Sequence, residues 1–212
     1  MTRATLATVV VVVLAFLGGE RRAAAGEFGL SLEGGYFGLT NASKSAKAVF
    51  DGASGGATGG GSIRYVFLRS LFVGAGAHYF ERKGERVFVA DASGTPFRLG
   101  HPLTLREVPV YGMVGWRFYP GSRLVPYIGV GAGKTSILEK SVVGDIEESQ
   151  KQSKATYLAV GGVEWGRGIL RVGAELMLSS IPDSIGVAGV SKIYGEKNLG
   201  GMSIVGKIVV VP

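Results

Sequence analysis

The sequence predicts an all-β fold, an eight-stranded antiparallel up-and-down transmembrane β-barrel, and three observations carry that expectation. Glycine-rich segments alternate apolar and polar residues near 27–39, 56–68, 70–82, 103–118, 124–136, 154–166, 168–179 and 200–211. A period of two is the strand signal, and no segment fits a helical period as well. The connections keep a rhythm. Arg69-Ser70, Tyr119 to Arg123 and Gly166 to Gly168 are tight turns, whereas Thr40 to Gly55, Lys83 to Pro102, Ile137 to Ser153 and Ser180 to Leu199 are long and polar. Short turns at one end and long loops at the other are the layout of a membrane barrel. Third, the polar face carries few charges, and they balance.

The chain starts with the marks of an export signal. Arg3 precedes an apolar stretch from Thr5 to Gly19, and Ala23-Ala24-Ala25 offers small residues for cleavage. The run is short for a membrane-spanning helix, which needs about 20 apolar residues. Residues 1–25 therefore read as a signal peptide and 26–212 as one barrel domain. Glu20, Arg21 and Arg22 between the apolar run and the cleavage site fit an export signal less well. Removal of the signal lowers the formal net charge from +7 to +5, and the remaining bases are scattered. No groove-reading helix or zinc spacing accompanies them, so nucleic acid is not an expected partner. Cysteine is absent, which excludes a disulfide framework and a thiol nucleophile.

Along the strands, the seventh segment is the clearest. Leu170, Val172, Ala174, Leu176 and Leu178 share one face, and Arg171, Gly173, Glu175, Met177 and Ser179 the other. The third sets Leu71, Val73, Ala75, Ala77 and Tyr79 against Phe72, Gly74, Gly76, His78 and Arg82. The sixth and eighth are mixed, because Leu158, Val160, Val205 and Val209 fall on the polar face. Pro109 and Pro126 cannot donate ladder hydrogen bonds and are expected near strand ends or bulges.

Alternation leaves open which face looks inward: a soluble lipocalin-like ligand-binding barrel and a membrane barrel have opposite answers. Two features select the membrane. On the polar face, Glu33, Glu107, Glu164 and Glu175 balance Arg64, Arg117, Arg171 and Lys207, with glycine and serine between them. That suits a narrow lumen in which buried ions find partners and long side chains fill the space left by glycines. Single replacements Glu175→Gln and Arg171→Met should each lower the melting temperature. Aromatics also gather in two bands. Phe28, Phe67, Phe72, Trp116, Phe118, Tyr119, Tyr127 and Trp165 lie near the short turns; Tyr36, Phe37, Tyr79, Phe80 and Tyr157 lie near the long loops.

Catalytic, cofactor and metal sites are not expected. Gly129 to Thr135 ends in Gly-Lys-Thr, but Ile128 stands where a phosphate-binding loop needs glycine. His78 and His101 are isolated, and neither begins a His-x-Ser pair, so a lipid A-modifying enzyme is the alternative rather than the leading reading. Arg82, Lys83 and Arg106 near strand ends are candidate lipopolysaccharide contacts through charge-assisted bonds to phosphate.

The runs Glu107-Val-Pro-Val-Tyr-Gly-Met-Val-Gly-Trp-Arg-Phe-Tyr-Pro120 and Val125-Pro-Tyr-Ile-Gly-Val-Gly-Ala-Gly133 resemble the middle hairpin of the outer-membrane β-barrel domain family, which includes OmpA-like and OmpX-like small barrels. Ile169-Leu-Arg-Val-Gly-Ala-Glu175 resembles its penultimate strand. The resemblance implies termini in the periplasm of a Gram-negative-type bacterium; because the sequence runs only to the eighth segment, the peptidoglycan-binding module of full OmpA-like proteins is not expected. The resemblance further implies partners among outer-membrane lipid, lipopolysaccharide, the barrel-assembly machinery and an unknown surface ligand. Val209-Val-Val-Pro212 departs from the aromatic ending usual in that family. An eight-stranded barrel is just wide enough for side chains to fill. The expected function is therefore non-enzymatic and structural or surface-interacting, with the lumen plugged and the loops making the contacts.

Overall fold

The computed structural model describes residues 26–143, 146–184 and 189–212; the expected signal peptide lies outside them. Eight strands close a barrel in sequence order: β1 (Glu27–Gly38), β2 (Gly55–Phe67), β3 (Leu71–Phe88), β4 (Phe97–Arg117), β5 (Leu124–Val143), β6 (Ile146–Arg167), β7 (Leu170–Ser180) and β8 (Met202–Val210). Every neighbouring pair is antiparallel, β8 with β1 included. Register fixes the geometry. Following partners from Phe28 through Tyr65, Val73, Val114, Val130, Ala159, Leu178 and Met202 returns to β1 at Gly38, ten residues from the start. That stagger tilts the strands by roughly 40° to the barrel axis.

The alternation has a single sense throughout. Leu32, Ile63, Val110, Val130, Leu178 and Ile204 face outward and stay exposed, whereas the charged face is buried. An apolar exterior around a polar interior is a membrane barrel and not a lipocalin-like one.

Two of the four long connections are strand. β3 and β4 continue to Phe88 and Phe97, and β5 and β6 remain paired as far as Val143 and Ile146. Only β5 pairs with β6 between Ile146 and Thr156, because pairing with β7 begins at Tyr157. These hairpins were expected as loops, since they are rich in polar residues; buried Val87, Val89 and Ile137 and several ion pairs support them. Across the strands Lys140 reaches Glu147 at 2.7 Å and Arg98 reaches Glu85 at 3.4 Å, and Arg98 also reaches Asp51 of the first connection at 2.6 Å.

The first and fourth connections fold inward over the barrel mouth. A 3-10 turn (Thr40–Ala42) leads into helix α1 (Ser43–Val49), and helix α2 (Val190–Ile193) lies beside it. Glu196 holds them together, accepting bonds from the Lys44 and Ser45 amides at 3.0 and 2.9 Å. Beneath them Leu39, Val49, Phe50, Phe80, Leu103, Leu105, Ile137 and Leu199 form an apolar plug. Gly84 allows the helix to sit this low, because a Cβ there would strike the Val49 carbonyl and the Phe50 ring.

The short-turn end shows local strain. Leu68 and Arg69 both take left-handed backbone, with φ of 51° and 64°. That region costs a non-glycine residue about 1–2 kcal/mol. Leu68→Asn combined with Arg69→Gly is expected to stabilise the barrel by about 1 kcal/mol after glycine's entropy is counted. Equilibrium unfolding in detergent checks this, and an unchanged or lower midpoint would count against strain at the turn.

Pro109 lies in the middle of β4, not at an end. The β3–β4 ladder skips two pairs there, between Ala77↔Val110 and Phe80↔Glu107, without changing register. Pro126 does lie near the start of β5.

Candidate functional site

The strand register stacks the inward side chains in layers. Nearest the short turns, the Glu27 carboxylate accepts from Arg171 at 2.8 and 2.7 Å and from Arg117 at 2.6 Å. Above it, Arg64 forks onto Glu164 at 2.5 and 2.9 Å, with Arg171 3.9 Å from the same carboxylate. Arg64 also lies over the Phe72 and Tyr127 rings, at 5.6 and 5.9 Å from their centroids. The third layer centres on Lys207. Its Nζ donates to Glu175 at 2.8 Å and to the Tyr127 hydroxyl at 3.2 Å, and lies 3.3 Å from Glu33. Tyr127 in turn donates to Glu175 at 2.7 Å, and Ser62 to Glu33 at 2.8 Å. His78 Nε2 faces the other Glu33 oxygen at 2.7 Å.

Seven of the eight expected lumen charges thus meet partners of opposite sign. Glu107 does not. It is 2% exposed, no cation among the described residues is within ion-pair distance, and its Oε1 has no hydrogen-bond partner. Its place in the balance is taken by Glu27, the first residue of β1, which the sequence does not mark out among other strand-end charges. Glu107 instead lines a cavity of about 30 Å³ with Thr135, Thr156, His78 and Ser203. A second cavity, of about 10 Å³, lies beside Arg64 and Glu164. Volumes of this size hold about one or two waters.

Several inward glycines make room for rings, while Gly56 and Gly173 adjoin the charged side chains of Arg82 and Glu164. A Cβ at Gly60 would collide with His78, and one at Gly162 with the Tyr127 hydroxyl. Tyr127 and Phe72, expected in the interfacial band, point into the lumen, as do Phe37 and Phe80. Trp116, Phe118, Tyr119 and Trp165 remain outside at the short-turn end, and Tyr36, Tyr79 and Tyr157 at the other. Amphipathic rings serve either place, and the composition of a segment does not distinguish them.

The candidate lipopolysaccharide contacts do not form one cluster. Arg82 is on the inward face, its side chain passing Gly56 and its Nε buried without a partner. Lys83 and Arg106 are outside. Arg106 donates to Glu81 at 3.1 and 2.8 Å and lies 5.5 Å from the centre of the Tyr79 ring. Gly129 to Thr135 is plain β5 strand, so no phosphate-binding helix follows it. No group of three metal-ligating side chains occurs among the described residues.

No known family matches the sequence, and no curated protein is detectably similar to it. Solved structures do match. A major outer membrane protein from Thermus thermophilus superposes with a TM-score of 0.59 at 9% identity, over 89% of this chain and all 100% of that one. The outer membrane protein OprG from Pseudomonas aeruginosa gives 0.55 at 13% identity, over 89% and 93% of the two chains. Neisserial surface protein A gives 0.51 at 12%, over 87% and 96%. The chain has the fold of the small outer-membrane β-barrels. At these identities the likeness concerns the fold alone.

Proposed function

We propose that the protein is a non-enzymatic outer-membrane barrel of a Gram-negative-type cell, with its short turns in the periplasm. In this reading the barrel is closed, and the hairpins beyond the membrane serve as a contact platform. The observation that carries it is the seal: the apolar plug under α1, with charged layers below that enclose cavities of about 30 and 10 Å³ among the described residues. Above the seal, β3 to β6 extend together as a sheet in which Ile146 to Thr156 pairs with β5 on one side and has no strand on its other side among the described residues. Such an edge can accept an extended segment of a partner, although Lys151 and Lys154 on it discourage indiscriminate pairing.

Single-channel recording in planar bilayers tests the seal. No large steady conductance is expected; a steady open level of porin size would refute it. Against lipid modification stands the placement of His78, 5% exposed inside the lumen against Glu33 and out of reach of membrane lipid. Lipopolysaccharide phosphate remains the proposed partner for Lys83 and Arg106 alone. Charge removal at both is expected to weaken binding of phosphorylated lipid, while Arg82→Gln leaves it unchanged.

A further inference from the structure

The short-turn end holds an accumulation of arginine that the lumen network does not use up. Each of the three turns carries one arginine, Arg69, Arg123 and Arg167, and none carries an acid. All three are exposed and make no ion pair among the described residues. Two of them, Arg69 and Arg167, overhang a vestibule of about 900 Å³ in the barrel mouth. Arg117 and Arg171 form part of its wall, and among the described residues Glu27 is the one carboxylate lining it. Arg117 is deeply set, its side chain 4% exposed, and its Nε has no acceptor. Glu27 is already shared between Arg117 and Arg171, so it leaves donors on both unanswered.

We infer that this vestibule is a binding site for a phosphate-bearing anion. Four guanidinium groups face one carboxylate across a concave, partly desolvated space. Their planar forks match phosphate oxygens in pairs, which the point charge of lysine does not. The chain puts arginine alone in these turns, while its lysines lie toward the long connections and in the lumen. Below the vestibule, Trp116, Trp165 and Tyr119 are exposed on the outer face, where such rings sit at headgroup level. Arg69 and Arg167 on the rim are therefore within reach of either source of phosphate: a lipid headgroup, or a soluble phosphate compound entering the mouth.

Two measurements on the detergent-folded protein decide the matter. The first is calorimetric titration with inorganic pyrophosphate at low salt in an uncharged detergent. The second is native mass spectrometry after release from nanodiscs of phosphatidylcholine and phosphatidylglycerol. Each is repeated with Arg69→Gln/Arg167→Gln, whose sites are exposed and outside the ion network, and with the matching Lys pair. Affinity should fall about tenfold or more in the Gln pair, and by less in the Lys pair, which keeps charge but loses the fork. A pyrophosphate heat lost in the Gln pair assigns the site to soluble phosphate. Preferential retention of phosphatidylglycerol, lost in the Gln pair and without a pyrophosphate heat, assigns it to a headgroup. If neither probe binds the unaltered protein, or the Gln pair binds as well as it does, the inference is overturned.

Discussion

Lys207→Met is expected to destabilise the detergent-folded barrel by about 3–5 kcal/mol, the usual loss when one partner of a buried ion pair is removed. The reason is the number of groups that converge on one ammonium. Lys207 Nζ is 2.8 Å from Glu175 and 3.3 Å from Glu33, and both carboxylates lie inside the lumen. Methionine fills nearly the same space, so the packing stays and the charge goes. Two carboxylates are then left without the ammonium between them, Glu175 against the Tyr127 hydroxyl and Glu33 against Ser62 and His78. Glu107→Gln provides the contrast. Glu107 has no cation to abandon, and an amide can donate to the cavity hydroxyls where a carboxylate cannot. Its expected effect is neutral or stabilising. Equilibrium unfolding of both variants checks the assignment: equal losses would mean that Glu107 has a partner after all, and no loss at Lys207 would mean the third layer is not an ion network.

That contrast marks how far the sequence could be read. Period-two alternation located all eight strands, because a barrel wall has one face in lipid and one in the lumen, and every strand must obey the same rule. Pairing inside the lumen was not legible. Glu107 and Glu164 look alike on their strands, yet the ten-residue stagger brings Glu164 across from Arg64 and leaves Glu107 among threonines. Which charges meet depends on shear and on tilt, and no single segment encodes either. Extended hairpins were missed for a related reason. Beyond the barrel wall the outer face of a strand need not be apolar, so 83–88 and 137–143 turn polar and lose the signal while keeping the ladder. The plug was hidden differently. Leu39, Ala42, Ala46, Val49 and Phe50 have helical spacing, but the run is short and lies in a connection that otherwise reads as polar loop.

Phe50→Ala should remove about 3–5 kcal/mol, the range for truncating a buried aromatic, and the loss should fall on the plug rather than on the wall. Phe50 is 2% exposed at the end of α1 and touches Gly84 of β3, so its ring is the wedge between helix and barrel. The wall has its own support: eight closed ladders and the lumen network, none of which includes Phe50. A seven-residue helix cannot persist without its docking surface, because an isolated helix of that length does not form in water. Trypsin should therefore cut the variant after Lys44 and Lys47, sites that packing protects in the unaltered protein, while the compact unboiled gel band stays in place. Gly84→Ala tests the same contact from the other side, since its methyl group would meet the Val49 carbonyl. Both variants opening the same two cleavage sites would locate the seal in this wedge. Resistance in both would mean that Glu196, which holds the first turn of α1 through the Lys44 and Ser45 amides, secures the helix without it.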